Sequence, residues 1–93
     1  MVYVYLDLKI TNPETFAKYK EVAAPALQAH GCSVLTVGKA NEIIDGSRQA
    51  PDIAVILTFP DKLAITAWME DPSLQETHRL RRNSGDLSMM IIG

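Results

Sequence analysis

Val2-Tyr3-Val4-Tyr5-Leu6-Asp7-Leu8-Lys9-Ile10 decides how the rest of the chain reads. Val2, Val4, Leu6, Leu8 and Ile10 fall on one side of an extended backbone, and Tyr3, Tyr5, Asp7 and Lys9 on the other. That period of two marks a strand with one buried face. Working outward, Asn12-Pro13-Glu14 reads as a helix start, with Asn12 as N-cap and Pro13 in the first helical position. Phe16, Tyr19, Ala23, Ala26, Leu27 and His30 recur at helical spacing until Gly31 stops the helix. Pro25 lies inside it and has no N–H for the carbonyl of Glu21, which predicts a kink. Ser33 to Gly38 reads as a second strand, resuming through Glu42-Ile43-Ile44 after an irregular Lys39-Ala40-Asn41. Asp45-Gly46 and Pro51-Asp52 bracket a polar loop.

Ile53 to Phe59 is the third and most apolar strand, with Ile53, Val55, Leu57 and Phe59 on one face and Ala54, Ile56 and Thr58 on the other. Pro60-Asp61 opens a second helix that carries Ala64, Ala67 and Trp68 inward. Asp71-Pro72 restarts it with Asp71 as cap, and it ends near Asn83-Ser84-Gly85. Leu87 to Ile92 is the last strand.

Strand, helix, strand, strand, helix, strand is the split arrangement of an α+β, ferredoxin-like βαββαβ fold: a four-stranded antiparallel sheet with two helices on one face. At 93 residues the chain, 1–93, reads as a single domain. A net charge of −2 argues against nucleic acid, which demands concentrated Lys and Arg. The single Cys32 excludes an internal disulfide and a cysteine-built metal site. No apolar run approaches the ~20 residues that cross a bilayer, and the N-terminus opens as a strand rather than a signal peptide. The expectation is a small cytoplasmic domain, without membrane attachment.

One face of the sheet remains after the helices are placed, and it is too apolar for water. Alternation puts Tyr3, Tyr5 and Ile56 there, with either Met90 and Ile92 or Met89 and Ile91 from the last strand. A contiguous apolar patch marks an interface, so the reading predicts a homodimer packed sheet to sheet, forming a two-fold symmetric barrel.

Several short motifs run in a shared order: Tyr19, Pro25 and Gly31; Gly38 and Asp45-Gly46; Phe59-Pro60 and Ala67-Trp68; Asp71-Pro72-Ser73-Leu74-Gln75; Leu80-Arg81-Arg82; Gly85-Asp86-Leu87. With these the chain resembles, over nearly its whole length, the bacterial family called domain of unknown function 1330, within the dimeric α/β-barrel superfamily. The resemblance implies a ferredoxin-like fold and a dimer, and it implies no particular reaction. The superfamily spans cofactor-independent monooxygenases, lactone isomerases, dehydratases and regulatory ligand-binding domains. The chain departs from the family's usual residues at Val37 (Arg in typical members), Lys39 (Gly), and Met69 and Leu74 (both Tyr). A ligand held through those positions elsewhere does not carry over.

The inward stripe of the second helix runs Ala64, Ala67, Trp68, Asp71, Leu74, His78, Arg81. Two strongly polar side chains thus continue an apolar face. A buried guanidinium requires an anion, supplied either by a protein carboxylate, with Asp45 and Asp86 as candidates, or by a ligand. A neighbouring cation keeps His78 neutral, suited to accepting a proton or a hydrogen bond. The plainer role for both is to satisfy the last carbonyls of the helix, as Arg79 does, while Arg82 stands second to Arg81 as a candidate for binding a carboxylate or phosphate. Tyr19 and Trp68 are core residues or pocket walls. His30 reads as a dipole partner at the end of the first helix, and Cys32 as an inert thiol. No metal-ligand spacing, phosphate loop or dinucleotide motif is present, so neither metal nor cofactor is expected.

Three readings compete. The first is a homodimer that holds a small anionic or aromatic molecule in a pocket walled by Tyr19, Trp68, His78 and Arg81. The second is a cofactor-independent enzyme of monooxygenase, isomerase or dehydratase type, with His78 or Tyr19 moving a proton. The third is a structural or interaction module whose interface is its whole role. A pocket of ~300 Å³ or more between helices and sheet separates the first two from the third.

Overall fold

In the computed structural model, which describes residues 1–93, β1 (Val2–Ile10) lies inside an antiparallel sheet. It pairs with β3 (Ile53–Phe59) on one side and β4 (Gly85–Ile92) on the other, and β2 (Ser33–Gly38) completes the order β2-β3-β1-β4. One face carries α1 (Pro13–Gln28), α2 (Lys62–Glu70) and α3 (Gln75–Asn83). The fold is α+β and ferredoxin-like, and its sheet is open.

Local chemistry explains the boundaries. The Asn12 side chain accepts from the Thr15 N–H at 3.2 Å, capping α1 as expected of an Asn-Pro start. Gly31, at φ +71°, turns the chain from α1 into β2. Asp61 accepts from the Ala64 N–H at 2.8 Å and starts α2.

The second helix is interrupted rather than merely restarted. Asp71 adopts an extended ψ of 117°, and a short 3₁₀ turn over Pro72–Leu74 leads into α3. A residue before proline is pushed out of helical backbone, so the helical phase resets there. Within α2 itself Ala67 is exposed, and Ile65 packs against the core beside Ala64 and Trp68 in its place.

Two further expectations need correction. The Glu42-Ile43-Ile44 segment does not resume β2, and Ile44 is 97% exposed. Asn41 donates its amide to the carbonyls of Gly38 (3.0 Å) and Pro51 (3.1 Å), which ties the two ends of the loop together and takes the chain off the sheet at Gly38. At the other end, β4 begins at Gly85 rather than Leu87. Gly85 pairs with Ile10 so closely that a Cβ there would lie 2.0 Å from the carbonyl oxygen of Lys9. Only glycine permits that approach.

The register fixes the faces. Val4 pairs with Leu57 and Ile91, while Tyr5 pairs with Ile56 and Met90, so the side away from the helices displays Tyr3, Tyr5, Ile56, Met90 and Ile92. On the helical side Val4, Leu57, Phe59 and Trp68 pack with Ala26, Leu27, Cys32 and Leu74. Leu6 and Leu8 are buried outside that cluster, on the wall of a cavity.

Candidate functional site

Between α1 and the helical face of the sheet lies a cavity of about 700 Å³. Its floor is apolar, from Leu87 of β4 across Leu6 and Leu8 of β1 and Val55 of β3 to Val34 and Val37 of β2. Ala23 faces it from α1, where a small side chain leaves the space unfilled. The polar members of the wall are Tyr19, Lys20, Lys39, Asp52 and Arg81. Three cations and one carboxylate therefore line a cavity in a chain whose net charge is −2.

Arg81 is the unusual residue. It is only 1% exposed, yet no carboxylate of the chain pairs with it. Asp45 and Asp86, the acids considered for it, are both exposed and in no ion pair with it. Its guanidinium lies over the Trp68 ring at 4.7 Å, and Nη2 reaches the Met69 sulfur at 3.8 Å. Nη1 donates to His78 Nδ1 at 2.7 Å. Nε is buried with no partner. A cation–π contact and a neutral acceptor soften the cost of burial but do not supply the counter-charge a desolvated guanidinium requires.

His78 is fully buried and holds Arg81 in place. Its Nε2 is 2.8 Å from the Trp68 carbonyl oxygen, which can only accept, so Nε2 carries the proton and donates. Nδ1 then offers its lone pair to the arginine. Burial lowers the His78 pKa, with the Arg81 and Arg82 charges adding to the fall and the Trp68 carbonyl opposing it. Neutral imidazole is the only form that fits both contacts. With both nitrogens engaged, His78 offers none to the cavity, and Trp68 stands edge-on to it at 4.7 Å. The structure thus brings all four candidate residues together but in two ranks: Tyr19 and Arg81 on the cavity wall, Trp68 and His78 behind Arg81. Burial likewise raises the Tyr19 phenol, while the adjacent Arg81 pulls it the other way. Burial lowers Arg81 from its usual range, and a guanidinium stays protonated nonetheless.

The remaining candidates serve the frame. His30 does not act on its own helix end; its Nε2 bonds the Asp71 carboxylate at 2.8 Å, joining the end of α1 to the break before α3. Asp71 also accepts from the Ser73 N–H and hydroxyl, and these bonds with His30 hold its pKa down at about 2. Burial pushes the Cys32 thiol up to about 11, which leaves it unreactive at neutral pH. Arg79 pairs with Glu76 on the outer side of α3, where Arg82 is also exposed. Lys39 and Asp52 escape a reading by periodicity because they flank a loop. The small Ala23 on the inward side of α1 is the one sequence signal for the cavity, since Ala26 packs into the core.

The family model for a domain of unknown function, DUF1330, matches residues 1–93. Comparison with curated proteins gives no match. Among solved structures, a protein of unknown function from Rhodopseudomonas palustris superposes with a TM-score of 0.84 at 16% identity, over 98% of this chain and 79% of that one. A dimeric ferredoxin-like protein of unknown function from Jannaschia sp. CCS1 gives 0.77 at 15% identity, over 99% and 97% of the two chains.

Proposed function

The chain belongs to the DUF1330 family, and from that premise we propose that it binds a small organic anion with an apolar body in the cavity between α1 and the sheet. The observation that carries this reading is Arg81: a guanidinium 1% exposed, on the cavity wall, with a buried Nε that has no partner and no carboxylate of its own. A carboxylate is the natural occupant, because charge-assisted bonds to guanidinium are short and strong and the floor rewards an apolar body. Tyr19 adds a phenol beside the same group. Trp68 and His78 are positioning residues, which keep the guanidinium from swinging to solvent.

The same reading has the protein act as a homodimer through the bare sheet face. Tyr3 is 41% exposed, Met90 60% and Ile92 46%, and these lie together with Tyr5 and Ile56 on one side. The chain exposes 6127 Å², whereas a monomer of its mass, 10.3 kDa, has about 5,400 Å². The excess, to which the open cavity also contributes, is close to the ~800 Å² each partner buries in an ordinary stable interface. The Jannaschia structure is described as dimeric, in agreement with this reading.

Thermal-shift titration with straight-chain and aryl carboxylates tests the site. The acids should raise the melting temperature of the wild type and leave Arg81→Met unmoved, while the matching alcohols do nothing. Equal shifts in both proteins, or none in either, would remove the assignment.

A further inference from the structure

We infer that the cavity's ligand carries a second acidic group, met at the mouth by Lys39, so that the preferred class is an apolar chain or ring with an anion at each end. This rests on the reading of Arg81 as the site of the first anion. The cavity lining crosses the full width of the sheet, from Leu87 of β4 to Val34 and Val37 of β2. That is three inter-strand steps of about 4.8 Å each. Arg81 enters from α3, which packs on β4 and α1. Lys39 directly follows β2, at the opposite edge. Between them the floor is aliphatic, so along the sheet a molecule anchored at Arg81 meets no polar side chain until it reaches the far rim.

At that rim Lys39 is the cation left uncommitted. Asp52 is nearby on the lining, but its carboxylate already accepts from the Ile10 N–H at 2.8 Å and sits 3.8 Å from Lys9. Lys20 lies over the Phe16 ring at 5.0 Å. Lys39 is in no ion pair. Its backbone is fixed as well: Asn41 bridges the Gly38 and Pro51 carbonyls, and a Cβ at Gly38 would lie 2.3 Å from the Asn41 side chain, so the turn that presents Lys39 is built around that clamp. An unpaired lysine on a fixed turn, across an apolar floor from a buried guanidinium without a counter-charge, recognises two negative charges better than one.

Calorimetric titration with octanoate and suberate, which share a carbon count and differ in the second carboxylate, tests the inference on the whole chain. Suberate should bind about fivefold more tightly than octanoate, the scale of one solvent-exposed ion pair. Lys39→Met should erase that preference while leaving octanoate affinity unchanged, and Asn41→Ala should reduce it. Octanoate binding as tightly as suberate, or a preference that survives Lys39→Met, would overturn the second anion and leave the Arg81 site standing. Failure of both acids to bind the wild type would overturn the Arg81 reading, and this inference with it.

Discussion

Replacing Arg81 by Met should make the ligand-free protein slightly more stable, which separates a residue kept for binding from one kept for folding. Methionine retains the apolar stem and approximate volume while removing the charge. Withdrawing an unpaired ion from a buried site recovers several kcal/mol. Against this stand a desolvated cation–π contact with Trp68 worth about 2 kcal/mol and an orphaned His78 Nδ1 costing roughly 1–3 kcal/mol. The balance is a gain of about 1 kcal/mol, or a melting temperature about 4–8 °C higher for a domain of this size. Urea unfolding at one fixed protomer concentration measures it, because oligomerisation makes midpoints depend on concentration. The slope of the transition should not change. A loss of 2 kcal/mol or more would show that the guanidinium is a structural strut, and Arg81 would no longer call for a ligand.

Stability should fall in two stages on acidification. His78 has a depressed pKa, so its contribution is complete above the unfolded value of ~6.5 and declines below it as the unfolded chain takes up the proton first. Asp71, held at about 2 against 3.8, adds a second decline between those values. Unfolding midpoints across pH should lose the first stage in His78→Gln and the second in Asp71→Asn. Gly85→Ala should cost about 3 kcal/mol or more, since the methyl meets the Lys9 backbone, and hydrogen exchange should show β4 detached from Ile10. Tyr5→Asp should leave sedimentation at about 10 kDa where the wild type sediments at about twice that mass, because it places a charge at the centre of the bare face. A wild type of about 10 kDa at micromolar concentration would contradict the homodimer.

Periodicity carried the fold because β1 and β3 alternate without interruption, and the strand order followed from the sequence of elements. What it could not carry was decided by tertiary contact. Gly85 reads as a stop signal, yet it opens β4 because Lys9 comes too close for any side chain. Glu42-Ile43-Ile44 has strand composition, yet Asn41 ties the loop ends together before pairing can resume. The Asp71-Pro72 pair was visible as a restart; within α2, Ala67 and Ile65 both sit near the inward face, and packing against the core takes Ile65. At the site, Arg81 stood out as a cation on an apolar stripe. The separation of Tyr19 and Arg81 on the wall from Trp68 and His78 behind it depends on hydrogen-bond directions that no spacing encodes. Lys39 lay outside every periodic segment, and only the geometry of its turn places it at the mouth.

The most direct measurement is a crystal structure of the protein with octanoate at millimolar concentration. A carboxylate oxygen about 2.7–2.9 Å from Arg81 Nε, with the chain lying along Leu6, Leu8 and Val55 and the His78 contacts unchanged, is the expected result. Octanoate bound elsewhere with Nε still unpartnered, or a guanidinium swung out to solvent, would contradict the assignment of Arg81 as the anion site.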